Sequence, residues 1–262
     1  MLEIDGEAIF LTDSGGDLPS LLFVHGIMMS HKVWDHQVAA FADKYRVVCV
    51  DLRGFGQSNA GNPDVSFEDH ANDLVAIIDD LQLKDVTLVG WSMGGAIGQV
   101  LAAAHGSKIS RLVLVDTTPQ LLATAEFPRA LPTEAAMQLG QLLSTDFAQG
   151  CAAFCGMIAP EDADTAKLLT TIAAATSPSV ALAAFASSGP RSLIGLLPKI
   201  STPTRIIAGA DDRICLPEAS TFLAERIPGS KHGVAWIESA GHAPFLTRPR
   251  EFNAALSAAL EA

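Results

Sequence analysis

The sequence predicts an α/β fold in which a mostly parallel central sheet is flanked by helices. Short β-rich runs alternate with helical patterns along the 262 residues, and most of these runs are continuously apolar rather than alternating. Continuous apolar runs are typical of strands that are buried on both faces, as in a parallel sheet covered by helices. With 49% hydrophobic and 18% charged residues, the chain can also bury a substantial core.

Six runs are predicted to form the strands of this sheet. They cover residues 21–24, 46–50, 86–89, 111–115, 204–208 and 234–237. The segment 3–11 is less regular and is expected to supply one or two edge strands. Loops that follow parallel strands gather at one edge of the sheet, and ligands bind at that edge in folds of this kind.

The helices between these strands are predicted from their apolar spacing. The stretch 67–81 places Leu74, Ile77, Ile78 and Leu81 on one face, which is typical of an amphipathic helix. Ser66 precedes it, three residues before Asp69, and is the predicted N-cap. A last helix over 249–260 closes the chain.

The alternation of strands and helices breaks between Pro119 and Ile200, where the chain is rich in Ala, Leu, Phe and Met and predicts helices without a strand. We therefore predict a core formed by residues 1–118 and 201–262, and a helical cap formed by residues 119–200. A large insertion of this kind commonly shapes a pocket and excludes water. The alternative is a helical layer that completes the core.

The charge balance limits the partners of this chain. A net charge of −12 without a Lys/Arg cluster argues against nucleic acid and anionic membrane surfaces. The uncharged stretches 86–104 and 168–190 are interrupted by Gly, Ser, Thr or Pro, so no membrane span is predicted. The N-terminus has acidic residues where a signal peptide has basic ones, and we expect a cytoplasmic protein. No oligomeric state is predicted.

The four cysteines are interpreted as structural thiols. Cys49, Cys151, Cys155 and Cys215 are scattered along the chain, and a disulfide framework is not expected inside the cell. Cys151 and Cys155 are four residues apart, but no second Cys or His pair completes a metal site around them. We expect neither a metal ion nor an organic cofactor.

A Gly-x-Ser-x-Gly pentad stands between a predicted strand and a helical pattern. Residues 90–94 read Gly-Trp-Ser-Met-Gly, and an apolar helical stretch follows them. A strand that turns directly into a helix strains the residue at the corner and projects its side chain, which predicts Ser92 as a nucleophile. The backbone N–H of Met93 then lies at a helix N-terminus, where it can stabilise an oxyanion.

A serine nucleophile needs a base and an orienting acid, and both are predicted at the same edge of the sheet. His242 follows the strand 234–237, and the other histidines lack this placement. Asp212 follows the strand 204–208 and is the preferred acid. Asp211, its neighbour, and Asp116, which ends the strand 111–115, stay as alternatives.

The loop after the first sheet strand is expected to supply the second oxyanion donor. Gly26 permits a sharp turn that can direct the N–H of Ile27 towards the developing negative charge. The glycine-containing loop 51–58 is interpreted as scaffold. The substrate pocket is expected to be apolar and to include side chains near the elbow and from the insertion: Trp34, Trp91, Phe127, Met137, Phe154, Met157 and Phe185.

Five motifs, at residues 22–26, 51–58, 90–95, 209–212 and 241–242, together resemble the α/β-hydrolase superfamily over nearly the whole chain. The branch that is most similar contains small serine carboxylesterases and lactonases, among them pimeloyl-carrier-protein methyl esterases, 3-oxoadipate enol-lactonases and cofactor-free haloperoxidases or perhydrolases. The resemblance implies Asp212 as the acid and Ile27 and Met93 as the oxyanion donors. Ser92 departs from the dehalogenases and epoxide hydrolases of this superfamily, which use an aspartate at the elbow.

These observations predict a serine hydrolase that cleaves a carboxylic ester, lactone or thioester of a small to medium apolar substrate through an acyl-enzyme. Its partner is then a small molecule. One alternative is a ligand receptor or regulatory protein on a hydrolase scaffold. Another is an acyltransferase or perhydrolase that uses the same three residues. The stretch 119–200 carries no motif that identifies the substrate.

Overall fold

The computed structural model describes residues 1–58 and 64–261. Within this part of the chain, nine strands form a central seven-stranded sheet and a separate antiparallel pair. The strands are β1 (Leu2–Ile4), β2 (Glu7–Ile9), β3 (Leu11–Asp13), β4 (Ser20–Val24), β5 (Arg46–Val50), β6 (Thr87–Trp91), β7 (Arg111–Val115), β8 (Thr204–Gly209) and β9 (Ser230–Ile237).

The central sheet has the strand order β3-β5-β4-β6-β7-β8-β9. β3 is antiparallel to β5, and every other neighbouring pair is parallel. The strands β4 and β6 are buried along their whole length, which explains their continuous apolar sequences. Because β4 to β9 run in the same direction, the loops that follow them open on one edge. The mostly parallel α/β fold is confirmed.

Helices cover both faces of this sheet. They are α1 (Asp35–Phe41), α2 (Phe67–Asp80), α3 (Met93–His105), α4 (Thr133–Thr145), α5 (Phe147–Ile158), α6 (Ala163–Ala173), α7 (Pro178–Ser188), α8 (Pro217–Arg226), α9 (Pro244–Thr247) and α10 (Pro249–Glu261). The helix α3 packs against β6 and α2, and α8 packs against β9. The predicted N-cap of α2 is present as a capping box, since Ser66 and Asp69 exchange side-chain to backbone hydrogen bonds of 2.9 and 3.1 Å.

The four helices α4 to α7 lie between β7 and β8 in the chain. Residues 116–203 are all described, and they contain no strand, although they form two isolated β-bridges. This observation agrees with the helical content predicted for the insertion. The division of the chain into a core and a cap stays a prediction.

Two of the predicted strands differ from the structure by more than one residue at an end. The run predicted at 234–237 begins at Ser230, because β9 is the edge strand and tolerates the exposed side chains of Lys231 and His232. The run predicted at 86–89 lies at Thr87–Trp91, so that β6 extends to the residue before Ser92.

No single helix among the described residues is long and apolar enough to cross a membrane. The helices α6 and α7 are together long and apolar enough by length and composition, but they are bent by 107° at their junction.

Candidate active site

Ser92 lies at the corner between β6 and α3. Its backbone has φ 53° and ψ −118°, a combination that L-residues rarely adopt and that costs about 1–3 kcal/mol. The Ser92 N–H donates to the carbonyl of Val115 at 3.0 Å, and the Thr117 hydroxyl donates to the Ser92 carbonyl at 2.7 Å. These bonds to the end of β7 and the segment after it hold the strained corner in place, and Ser92 is partly exposed.

The glycines of the pentad are required by close backbone contacts. A Cβ atom on Gly94 would lie 2.4 Å from the carbonyl oxygen of Val24, and one on Gly90 would lie 2.4 Å from the carbonyl oxygen of Gly94. A Cβ on Gly26 would approach the Cβ of Ser92 to 3.1 Å. The helix α3 and the loop after β4 can therefore approach the elbow only because side chains are absent there.

His242 and Asp212 form a buried pair at the same edge of the sheet. The Nδ1 atom of His242 lies 2.7 Å from Oδ2 of Asp212, and the two side chains are 1% and 0% exposed. The other carboxylate oxygen accepts the N–H groups of Ile214 at 2.8 Å and Cys215 at 3.1 Å. Because Asp212 accepts from Nδ1, the proton of neutral His242 is assigned to Nδ1, and Nε2 keeps its lone pair.

Nε2 of His242 is buried and has no hydrogen-bond partner among the residues that the structure describes. A buried nitrogen with a free lone pair is costly unless it serves a reaction or binds a ligand. With its lone pair free, this nitrogen can accept a proton from a hydroxyl that comes within hydrogen-bond distance.

The three aspartates considered from the sequence have different environments. Asp211 is exposed, and Asp116 is fully buried with its Oδ1 accepting the Gly209 N–H at 2.8 Å. Burial, followed by the negative charge of Asp212, raises the pKa of Asp116 well above its ordinary value. Of the three, Asp212 is the one that contacts His242.

The backbone around His242 is held by two other parts of the chain. The indole Nε1–H of Trp91 donates to the His242 carbonyl at 2.7 Å. The His242 N–H donates to the carbonyl of Ile158 at 2.9 Å, and the Gly241 N–H donates to Oε1 of Glu161 at 2.7 Å. Ile158 and Glu161 belong to the insertion, some eighty positions before His242, and no motif in the sequence marks them.

The residues of the two predicted oxyanion donors share a cavity with Ser92. Ile27 and Met93 line the same cavity as Ser92, and their backbone N–H groups have no partner among the hydrogen bonds of the described residues. His25 fixes this loop, because its Nδ1 donates to the Gly26 carbonyl at 2.7 Å and its Nε2 accepts from the Leu52 N–H at 3.0 Å. Complete burial lowers the pKa of His25, which fits a neutral ring with these two bonds.

The loop 51–58 is organised around the carboxylate of Asp51. This group accepts the backbone N–H of His31 at 2.6 Å and that of Gln57 at 2.8 Å, and it contacts Nδ1 of His31 at 2.8 Å. Desolvation raises the pKa of Asp51, but the hydrogen bonds from His31 and Gln57 outweigh it, and the net pKa is lowered. The arrangement supports the interpretation of this loop as scaffold.

An apolar cavity of about 510 Å³ opens at Ser92. Its lining comes mainly from the elbow, from the segment after β7 and from α4, α5 and α7. Four predicted pocket residues line it: Met137, Phe154, Met157 and Phe185.

Three predicted pocket residues do not line this cavity. Trp34 is completely buried and packs on Phe245 with ring centroids 4.4 Å apart. Trp91 points away from the cavity side of the elbow, since it packs on the same phenylalanine and bonds the His242 carbonyl. Phe127 packs on Phe222 of α8 at 5.1 Å in a separate small cluster. Their apolar character serves packing beneath and beside the site.

Asp212, His242 and Cys215 also share a property that the sequence analysis missed. Each offers one metal-ligand atom, and these atoms all lie within 4.8 Å of one another. Cys215 follows Asp212 by three residues, but its proximity to His242 depends on the loop after β9.

Comparison with known proteins gives a consistent result. The α/β hydrolase fold family model matches residues 19–249. The chain is 34% identical over 246 residues to a pimeloyl-[acyl-carrier protein] methyl ester esterase from Aeromonas hydrophila, covering 90% of this chain and 93% of the relative. It is 29% identical to 3-oxoadipate enol-lactonase 2 from Acinetobacter baylyi, covering 96% and 92%.

Among solved structures, a bromoperoxidase from Bacillus anthracis superposes with a TM-score of 0.91 at 28% identity, covering 98% of this chain and 96% of that chain. The predicted resemblance is thereby confirmed, and the named esterase and lactonase support ester hydrolysis as the general activity. The chain belongs to the α/β hydrolase fold family.

Proposed function

We propose that this protein is a serine hydrolase that cleaves a carboxylic ester, lactone or thioester through an acyl-enzyme formed on Ser92. The observation that carries the proposal is the buried His242–Asp212 pair, 2.7 Å apart, at the sheet edge where the strained Ser92 faces an apolar cavity. A serine hydroxyl is a weak nucleophile at neutral pH, and a histidine oriented by a carboxylate is a recurrent solution.

In the first half-reaction, Nε2 of His242 accepts the Ser92 hydroxyl proton while the serine oxygen attacks the substrate carbonyl. Asp212 holds the ring in the Nδ1–H form and stabilises the imidazolium. The tetrahedral intermediate then collapses. The carbon–oxygen or carbon–sulfur bond to the leaving group breaks, and His242 returns its proton to that group.

The second half-reaction repeats these steps with water as the nucleophile, so the acid is released and Ser92 is restored. Throughout, the N–H groups of Ile27 and Met93 are proposed to bind the negative oxygen. One such donor typically contributes about 3 kcal/mol to the transition state. Neither half-reaction as written needs a metal ion or an organic cofactor.

The cavity supports a small to medium apolar substrate. Its walls are dominated by side chains such as Leu139, Phe154 and Leu182, contributed by the insertion 119–200. We propose that this insertion acts as a cap, because it contributes much of the lining of the cavity at Ser92 and would exclude water from the acyl-enzyme.

The proposal is tested with a fluorophosphonate probe read by intact mass, followed by turnover of p-nitrophenyl esters. Wild type is expected to gain one adduct on Ser92 and to turn over many times. Ser92→Ala is expected to lose both, and full turnover by a purified Ser92→Ala variant would refute the mechanism.

The same experiment separates the alternatives. Labelling of Ser92 without turnover on a wide ester and lactone panel would favour a receptor that retains a reactive serine. Faster product formation with an added alcohol or peroxide than with water would favour an acyltransferase or a perhydrolase.

A further inference from the structure

Cys215 brings a thiol to the His242–Asp212 pair. The turn that follows β8 wraps around the carboxylate of Asp212, and the Cys215 N–H donates to it at 3.1 Å. The ligand atoms of Asp212, Cys215 and His242 all lie within 4.8 Å of one another, and the three residues are 3%, 3% and 1% exposed. The other cysteines are in β5 and α5, and no such group forms around them within the described residues.

Thiolate, imidazole and carboxylate are the donors that zinc binds in proteins. A tetrahedral zinc with bonds of about 2.0–2.3 Å separates its ligand atoms by about 3.3–3.8 Å. The ligand atoms here lie within 4.8 Å of one another, and Nδ1 of His242 is 2.7 Å from Oδ2 of Asp212. Shifts of about an ångström would therefore fit an ion, inward for the widest pair and outward for the Nδ1–Oδ2 pair where Nδ1 is the ligand. The charges of the ion and its ligands also cancel. One thiolate and one carboxylate neutralise a divalent cation, the imidazole is neutral, and the thiol releases one proton to solvent as the cation binds.

The cavity gives a cation a route to these donors. Cys215 and Ile214 line the cavity that opens at Ser92. In addition, Nε2 of His242 is buried without a hydrogen-bond partner among the described residues, so one ligand nitrogen needs no bond broken before it can bind. An ion that enters along the substrate path meets Cys215 at the cavity wall, and the His242 and Asp212 ligand atoms lie within 4.8 Å of its thiol sulfur.

We propose that Asp212, Cys215 and His242 form an inhibitory site for a thiophilic divalent cation such as Zn²⁺. Coordination through Nε2 removes the lone pair that would accept the Ser92 proton. Coordination through Nδ1 replaces the hydrogen bond to Asp212. Either geometry stops proton transfer. The inhibition rests on the proposed function, whereas binding of the ion does not.

The first experiment measures ester hydrolysis by chelator-treated protein during a ZnCl₂ titration. Wild type is expected to lose activity and to regain it when EDTA is added. Cys215→Ser and Cys215→Ala are expected to be less sensitive by about tenfold or more, because even partners outside the ligand shell change metal affinity by that factor. The inhibition of each variant is expressed relative to its own rate in EDTA.

Cys155→Ser is the matched control, since Cys155 is as buried as Cys215 but lies on α5. It is expected to keep the sensitivity of wild type. Equal sensitivity of wild type and both Cys215 variants would overturn the proposal, and so would loss of sensitivity in Cys155→Ser alone.

The second experiment detects binding without activity. Co²⁺ added to wild type is expected to give tetrahedral d–d bands and a thiolate-to-cobalt charge-transfer band, and the latter should be absent from Cys215→Ala and present in Cys155→Ser. Absence of the band from wild type, or its persistence in Cys215→Ala, would overturn the site. If the protein hydrolyses no ester, the proposed function fails, and the cobalt spectrum still decides whether the site exists.

Discussion

Two buried carboxyl groups, Asp212 and Asp116, face each other across the ends of neighbouring strands with different roles. Asp212 accepts hydrogen bonds from His242, Ile214 and Cys215, so both of its oxygens act as acceptors. Asp116 accepts one bond, from Gly209, and its Oδ2 has no partner among the described residues. Burial and the charge of Asp212 raise the pKa of Asp116, because the protonated form avoids two like charges in one buried site.

Asp212→Asn is expected to lower kcat by about four orders of magnitude, because an amide in this position favours the wrong imidazole tautomer. Asp211→Asn is the matched control, since Asp211 is exposed and is expected to change kcat less than about twofold. Steady-state kinetics on one ester compare the two variants. A larger loss in Asp211→Asn, or in Asp116→Asn, would show that the acid is assigned to the wrong residue.

The raised pKa of Asp116 predicts a pH dependence of stability. Its ordinary value is 3.8 and its folded value is well above that, so between these values the folded state binds more protons than the unfolded state. The free energy of unfolding therefore falls as pH rises through this window, by up to about 1.4 kcal/mol per pH unit for one group.

Asp116→Asn is expected to remove this contribution, so that the free energy of unfolding falls less steeply with pH than in wild type. Urea unfolding at about pH 5 and about pH 7 measures the difference, with Asp211→Asn as the control. Identical slopes in wild type and Asp116→Asn would contradict a raised pKa for Asp116.

At the scale of elements, the packing of α3 against the loop after β4 depends on glycine. A Cβ on Gly94 would lie 2.4 Å from the Val24 carbonyl oxygen and 2.6 Å from that of His25, and backbone atoms cannot move aside cheaply. Gly94→Ala is expected to destabilise the protein by about 3 kcal/mol or more and to abolish hydrolysis.

Gly156→Ala is the matched control for this substitution. Gly156 is an exposed glycine within α5, and a Cβ there would meet no atom within 4 Å. The free energy of unfolding of Gly156→Ala is expected to be about 0.5–1 kcal/mol higher than that of wild type, because alanine is more favourable than glycine in a helix interior. Thermal and urea unfolding measure both variants, and a Gly94→Ala protein as stable as wild type would contradict the packing argument.

The insertion is also connected to the His242 loop. The Gly241 N–H donates to Glu161, and the next N–H, that of His242, donates to the end of α5. Glu161→Ala is expected to destabilise the loop by about 1 kcal/mol and to lower kcat several-fold with a smaller effect on KM.

Glu161→Gln keeps an acceptor oxygen and is expected to restore most of the activity. Asp164→Asn, an exposed carboxylate at the start of α6, is the control and is expected to resemble wild type. If Glu161→Ala changed KM alone, the contact would serve substrate binding rather than the position of His242.

At the scale of the whole molecule, the cavity between the sheet edge and the insertion predicts a chain-length preference. Each buried methylene contributes about 0.8 kcal/mol, so kcat/KM for p-nitrophenyl esters is expected to rise with acyl length until the cavity is filled. Ala136→Trp, on the cavity side of α4, should move the optimum to shorter chains.

Ala152→Trp adds the same side chain to an exposed position on α5 that does not line the cavity. The chain-length profile of this control is expected to match wild type. An equal change in both variants would show that the effect does not arise from filling the cavity.

The local sequence determined much of the fold. The apolar runs of β4 and β6 and the capping box at Ser66 are patterns within a few residues, so the sequence predicted them. The start of β9 was misplaced because an edge strand tolerates polar residues that the interior does not. Hydrophobic periodicity reports burial, and it weakens wherever a strand is exposed.

By itself, the sequence determined the α/β class, the order of its elements, and Ser92, Asp212 and His242 as candidates, because each follows a strand and parallel strands bring such loops to one edge. The tertiary structure alone decided that Asp212 rather than Asp116 or Asp211 contacts His242, that Glu161 holds Gly241, and that Trp34, Trp91 and Phe127 pack outside the cavity. Side-chain direction and contacts between distant segments depend on how helices and loops pack. Local patterns along the sequence do not specify that packing.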